Sequence, residues 1–167
     1  MNKILVLLLM VISVNAQAVV IGLVDMQKIF STIKDGKSVL ATLEKSYNEK
    51  KKKLKAEEDK IMKLKEEMQK QSMVLSDAAK AKKEQEMQKL IMELQQKTVE
   101  YQKEINGQEQ DLKKPVLDKL KVVVDEVSVK QNVDLTVELK SSPMIYVKEK
   151  KDLTDEIIKA YDAKNSK

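Results

Sequence analysis

The architecture of this chain follows from residues 40–68, LATLEKSYNEKKKKLKAEEDKIMKLKEEM, in which an apolar side chain returns at every seventh residue. The recurring residues are Leu40, Tyr47, Leu54, Ile61 and Met68, and two further leucines, Leu43 and Leu64, stand three residues beyond two of them. Because seven residues make about two helical turns, this spacing places the apolar side chains along one stripe of a long helix. The segment is therefore predicted to be one helix of a coiled coil.

A second repeat of the same period follows the short break SMVLS at residues 72–76. It is carried by Met87, Ile91, Leu94, Thr98, Tyr101, Ile105, Gln108 and Leu112. When the chain is folded back at the break, the repeats meet in mirrored pairs: Ile61 with Met87, Leu54 with Leu94, Tyr47 with Tyr101, and Leu43 with Ile105. We therefore predict an antiparallel coiled-coil hairpin over residues 36–114, with these eight residues as its seam and its tip near residues 72–76.

The predicted seam is apolar only in alternate layers. In the layers between, Lys50 would lie opposite Thr98 and Glu57 opposite Ile91, so the hairpin is expected to be a rod that buries little. Pro115 has no backbone N–H, and the second arm is expected to kink or restart there. Both arms would then enter a separate body at the same distance from the tip.

This body is predicted to combine residues 19–35 with residues 115–167. Residues 19–24 are short, apolar and rich in β-branched side chains, which predicts a strand. Asp25 follows, where its carboxylate can cap a short helix. The predicted fold class is α+β, with a long helical hairpin projecting from a small body of strands.

The C-terminal body segment alternates between helix and strand signals. The predicted order is an apolar helix face over residues 116–127, a strand with one buried face at 133–139, a strand at 144–147, a charged connection at 148–151, and a last helix that Thr154 caps. Three short strands leave open sheet edges, and so small a body buries too little apolar area to be stable alone. A ring of subunits would close the strands and send every hairpin out on the same side.

The first 18 residues have the pattern of a secretory signal peptide. Lys3 supplies the positive charge, residues 4–14 form an apolar run, and Ala16, Gln17 and Ala18 form a small-x-small cleavage pattern. The run is short for a membrane-spanning helix, although a retained anchor is the alternative. We expect export, cleavage after Ala18 and a soluble mature chain that starts at Val19.

The composition argues against an enzyme. The chain contains no cysteine, histidine or tryptophan, and all 32 basic residues are lysine. The usual transition-metal sites and histidine-based acid–base catalysis are therefore not available. We expect no catalytic residue, no cofactor and no metal.

The half of the hairpin nearer the tip carries the candidate binding residues. The apolar candidates are Met62, Met68, Met73, Val74, Leu75, Met92 and Val99, and the basic candidates are Lys80, Lys82 and Lys83. Flexible methionines suit a surface that accepts many shapes, and lysines create a diffuse positive field for anionic partners. The alternatives are that the apolar residues pack across the bend or fill the seam, and that the lysines form an ordinary solvated face.

With these parts in place the chain resembles the Skp/OmpH family of periplasmic chaperones. The resemblance covers the whole mature sequence, from VIGLVD (20–25) through LSDA (75–78) to NVDLTV (132–137), MIYV (144–147) and DLTDEII (152–158). It implies a homotrimer in the periplasm of a Gram-negative bacterium. Strands from three chains would form a barrel, and the three hairpins would enclose a cavity that holds unfolded outer-membrane proteins without ATP.

Two departures limit what the resemblance carries over. The arms contain no arginine, where relatives often mix both basic residue types. Binding of lipopolysaccharide or an anionic membrane surface, attributed to some relatives, cannot be assigned to particular lysines.

Two other interpretations use the same residues. A nucleic-acid-binding coiled coil would suit the net charge of +5, but acids almost balance the lysines along the arms and stacking aromatics are scarce, so no nucleic-acid partner is expected. A structural envelope rod or adaptor would share the hairpin. Binding of an unfolded client distinguishes the chaperone from the rod.

Overall fold

The computed structural model describes residues 19–71 and 73–165, and the predicted signal peptide at residues 1–18 lies outside them. The elements in chain order are β1 Ile21–Val24, α1 Met26–Thr32, α2 Lys34–Lys70, α3 Asp77–Lys130, β2 Leu135–Glu138, β3 Lys150–Asp152 and α4 Thr154–Asn165. The predicted combination of two long helices with a small sheet is confirmed. Among the described helices, none is both long enough and apolar enough to cross a membrane.

Helices α2 and α3 form the hairpin, although α2 begins two residues before the predicted start and α3 continues past residue 114 to Lys130. The 37 residues of α2 correspond to a length of about 55 Å at the usual helical rise. Ser76 caps α3, because its hydroxyl accepts a hydrogen bond from the Ala79 amide at 3.3 Å. Asp77 follows in the first turn, where its negative charge interacts favourably with the helix dipole.

The expectation that the helix restarts at Pro115 is wrong. Helix α3 continues for 54 residues with Pro115 inside it. Proline removes one backbone donor, but the residues that follow it are tied to the body, since Val116 and Leu120 are buried there. Their burial outweighs the loss of one helical hydrogen bond.

The sheet is parallel, with β1 between β2 and β3. Ile21 pairs with Leu135 and Lys150, and Leu23 pairs with Val137 and Asp152. The strands are shorter than predicted: residues 19–24 give Ile21–Val24, and residues 133–139 give Leu135–Glu138.

The third strand lies at a different position from the one predicted. Residues 144–147 form no regular structure, whereas the predicted charged connection contributes β3. Leu153, buried in the core, donates its amide to the Leu23 carbonyl at 2.9 Å and so holds the preceding residues beside β1. The side chains of β3 are exposed because the strand forms an edge of the sheet, which explains how charged residues can occupy it.

The body core lies between the sheet and the helices α1, α3 and α4. The most completely buried large side chains are Tyr161, Ile29, Ile33, Leu120, Leu153, Ile157 and Val123. Asp25 caps α1 as predicted, accepting from the Lys28 amide at 2.8 Å. The predicted cap of the last helix is wrong, because Thr154 begins α4 and its own amide is capped by Asp152 at 2.9 Å.

A polar cluster fixes the base of the arms to the body. The Tyr161 hydroxyl of α4 donates to Asp35 of α2 at 2.9 Å, and Lys119 of α3 forms an ion pair with the same carboxylate at 3.2 Å. The Tyr161 hydrogen bond, together with Lys119, holds the pKa of Asp35 below its usual value. Three helices are thereby linked through one side chain.

Candidate binding surfaces of the hairpin and the sheet

The arms meet along a thin seam. The predicted seam residues Leu43, Leu54, Ile61, Met87, Leu94, Tyr101 and Ile105 are half buried. Tyr47 differs from them because it is 52 % exposed. No described residue between positions 40 and 115 is fully buried, so the arms have no core of their own.

Charged residues occupy the seam layers that were predicted not to be fully apolar. The Lys50 ammonium, predicted opposite Thr98, lies 4.9 Å from the centre of the Tyr101 ring and pairs with Glu104. Glu57, predicted opposite Ile91, instead forms an ion pair with Lys97 at 2.6 Å. The prediction treated these layers as gaps in the seam, although a lysine and an acid on opposite arms are the signal for a pair across the seam.

Acid is expected to loosen the two arms at Glu57. Hydrogen bonds from Lys97 and then Lys60 lower the pKa of Glu57 to about 2. Its contribution to the free energy of unfolding is therefore complete above the unfolded pKa of 4.5 and is lost as the pH falls through about 2. Thermal unfolding of the wild type and Glu57→Gln should differ near neutral pH, and the difference should shrink toward pH of about 2.

The matched control for this prediction is Glu66→Gln. Glu66 is exposed and its lysine contact, with Lys70 at 4.0 Å, lies within one arm. This variant should unfold like the wild type throughout the titration. A difference between wild type and Glu57→Gln that stays constant with pH would contradict the role of the ionised carboxylate.

Most of the apolar candidate residues are open to solvent. At the tip, Met73 is 97 % exposed and Val74 is also exposed, whereas Leu75 is half buried. Along the arms Met62, Met92 and Val99 are exposed, and Met68 is half buried in the seam. Met92 and Val99 are seven residues apart and share one face of α3.

The three candidate lysines differ from one another. Lys83 forms an ion pair with Glu67 of the other arm at 3.3 Å, which gives it a part in holding the hairpin together. Lys80 is half buried, and Lys82 is exposed. All three lysines were predicted as candidate binding residues. Of the three, only Lys82 is exposed rather than half buried.

The sheet presents a second apolar surface that the sequence reading assigned to the interior. Gly22 and Val24 of β1 face the body core and are buried, so Ile21 and Leu23 face the other way. The paired residues of β2 extend this surface, and Leu135 is 52 % exposed in the single chain. We call Ile21, Leu23, Leu135 and Val137 the open sheet face.

The loop after β2 exposes further apolar side chains. Ile145 is fully exposed and Tyr146 is 82 % exposed.

The expectation of a buried face on residues 133–139 is wrong for the chain by itself, because none of the β2 residues is buried. Exposed apolar area of this kind is typical of an interaction surface.

A cluster that could bind a metal ion is absent from the described residues: within residues 19–71 and 73–165, no group of three or more acidic side chains is placed to hold one. Three kinds of surface are open to solvent: apolar residues on the arms and tip, lysine side chains, and the open sheet face. Together they define a class of protein in which a helical hairpin with exposed apolar residues is carried on a small sheet body.

Comparison with known proteins identifies the family. Residues 20–161 match the family described as Outer membrane protein (OmpH-like), and the chain belongs to this family. The resemblance noted from the sequence is confirmed. No curated protein sequence gives a significant match.

A solved structure has the same fold. It is the crystal structure of a candidate outer membrane chaperone (OmpH-like) from Caulobacter crescentus CB15. The TM-score is 0.66 at 17 % sequence identity, over 89 % of this chain and 86 % of the other. At that identity the likeness concerns the fold.

Proposed function

We propose that this protein is an ATP-independent holdase that binds unfolded outer-membrane proteins in the periplasm and prevents their aggregation. The observation that carries the proposal is the exposure of Met73, Val74, Met92 and Val99 on arms that have no core of their own. Apolar side chains held in water on a rigid rod can cover apolar segments of an unfolded chain. Membership of the OmpH-like family supports the same role, and no catalytic group is needed for it.

The proposal includes assembly into a trimer whose strands close a small barrel. The open sheet face supports it, because Leu135 and Val137 lie beside Ile21 and Leu23, and the described part of the chain leaves all four side chains at least partly exposed. Ile145 and Tyr146 add exposed apolar area next to the sheet. A second and a third copy would bury both surfaces and direct the hairpins to one side.

Weak contacts on several arms would combine into tight holding. Once one segment of a client is bound, the neighbouring arms meet the rest of the client at high effective concentration. Each contact can then remain weak enough to release, and no ATP is required. The exposed arm lysines would attract clients of net negative charge over a longer range.

The test is suppression of aggregation. A urea-unfolded outer-membrane barrel protein is diluted into buffer with and without the mature chain, and light scattering is followed. We expect suppression at about one oligomer per client without nucleotide. Scattering that rises equally fast in both samples would reject the holdase and favour a structural rod or adaptor.

Salt is expected to slow client capture more than it hastens release. The Debye length falls from about 10 Å at 0.1 M to about 3 Å at 1 M salt, so the attraction by the arm lysines is screened before contact. Short-range apolar contacts are not weakened in this way. Stopped-flow fluorescence of a labelled client should show an association rate that falls several-fold with salt and a dissociation rate that changes little.

The control for the salt experiment is a client of net positive charge. Its association should not slow as salt is added. An association rate for the acidic client that is indifferent to ionic strength would remove the electrostatic part of the proposal and leave the apolar part.

A further inference from the structure

A groove opens in the side of the hairpin, about halfway along the arms. It has a volume of about 300 Å³ and lies between α2 and α3. Tyr47, Lys50, Lys51 and Leu54 line it from α2, and Tyr101 and Ile105 line it from α3. This volume is at the small end of ligand-binding pockets and suits one large side chain.

A lysine occupies a seam position at the groove. Lys50 points inward, with its side chain only 18 % exposed, and its ammonium lies over the Tyr101 ring. The pair with Glu104 keeps the ammonium at the groove, where it covers one aromatic face.

The rim of the groove adds a second aromatic ring and a second cation. Tyr47 is 52 % exposed, so its ring is available to a partner. Lys51 is exposed, and no acid among the described residues forms an ion pair with it. Lys55 and Glu58 also line the groove, and Lys55 is paired with Glu58 at 3.7 Å and with Asp59 at 3.2 Å. Lys51 is therefore the cation best placed for an incoming charge.

We propose that this groove binds an aromatic side chain that stands next to an acidic residue in an extended segment of the client. The tyrosines and Leu54 would contact the aromatic ring, and Lys51 would pair with the adjacent carboxylate. The inference rests on the proposed holdase function. It gives each hairpin one defined binding site for the client. One such contact is weak, with a dissociation constant on the order of 1 mM.

The experiment follows the tyrosine rings of the mature chain by NMR. The chain has four tyrosines, of which Tyr47 and Tyr101 line the groove, Tyr146 lies beside the sheet and Tyr161 is in the core. With ring-labelled tyrosine, the probe is a soluble Gly/Ser peptide that carries one Phe flanked by two Asp. We expect the signals of Tyr47 and Tyr101 to shift and those of Tyr161 to stay in place.

Peptide and protein variants distinguish specific binding at this groove from non-specific binding. A peptide with Phe replaced by Ser, or with both Asp replaced by Lys, should leave the tyrosine signals unchanged. Lys51→Gln should weaken binding about threefold, the size of one exposed charge pair. Its matched control is Lys53→Gln, which removes the same charge from an exposed position two residues away that does not line the groove.

Each outcome is decisive for one proposal. Unmoved Tyr47 and Tyr101 signals, or equal shifts with all three peptides, would overturn the groove proposal even if the chain suppresses aggregation. Specific shifts together with failed suppression would reject the holdase and retain the groove as a peptide site. Specific shifts that Lys51→Gln weakens and Lys53→Gln does not, together with suppression, support both.

Discussion

Replacing Gly36 by alanine is expected to lower the free energy of unfolding by about 3 kcal/mol, although alanine is the better helix former. Gly36 lies in the first turn of α2, where α1 crosses it closely. A Cβ atom at this position would lie 1.8 Å from the backbone carbonyl oxygen of Phe30. Because a backbone atom cannot rotate away as a side chain can, the corner between α1 and α2 would have to open.

The matched control is the same substitution at Gly107. This glycine lies inside α3, and a Cβ atom there would meet nothing within 4 Å. Gly107→Ala should therefore raise the free energy of unfolding by about 1 kcal/mol, the difference in helix propensity between the two residues. Chemical unfolding of both variants, followed by circular dichroism, should give opposite signs. Equal stabilisation by both would show that α1 does not approach Gly36 so closely.

The two glycines show which features of the fold could be predicted from the sequence and which could not. Both stand in helical segments, and Gly36 was taken only as the start of the first arm. The structure extends α2 back to Lys34 and packs Gly36 beneath Phe30. That contact joins two helices through the path of the backbone between them, which no local pattern encodes.

The hairpin could be predicted because its signals are local and periodic. The two seven-residue repeats each lie within one continuous stretch of consecutive turns, and the structure has both helices. The charged layers were harder to place. Glu57 and Lys97 are 40 residues apart, and their pairing depends on the register of the arms.

The third strand was predicted at the wrong position because the prediction relied on the apolar content of residues 144–147. Residues 144–147 have the side chains of a strand, but they form no regular structure. Residues 150–152 are charged, yet they are held beside β1 by Leu153 and by the cap at Asp152. Backbone hydrogen bonds at a sheet edge can form whatever the polarity of the side chains. They determine the position of β3.

The sequence predicted a strand with one buried face at residues 133–139, without saying which chain buries that face. The alternation of Leu135 and Val137 with polar residues does indicate a strand with one apolar side. The core of the same chain covers the other side of β1, where Gly22 and Val24 lie. An alternating strand therefore predicts that one face is covered, but it does not say by which chain.

Leu135→Asp is consequently expected to dissociate the proposed trimer and abolish client holding. In the single chain Leu135 is 52 % exposed, so the carboxylate would be solvated and the subunit should remain folded. In the trimer each copy would place an unpaired charge in an apolar interface, at a cost of at least roughly 2 kcal/mol per subunit. Three copies would weaken assembly by a factor on the order of 10⁴.

Sedimentation over a range of protein concentrations measures this effect directly. Wild type should sediment as an oligomer and Leu135→Asp as a monomer with unchanged helical content by circular dichroism. The control is Val99→Asp, which introduces the same charge at an exposed position on the arm and should leave assembly intact while it weakens client holding. Because multivalent capture needs several arms, the monomer should lose suppression of aggregation much more completely than the arm variant does. If Leu135→Asp assembles like the wild type, the open sheet face is not the interface between subunits.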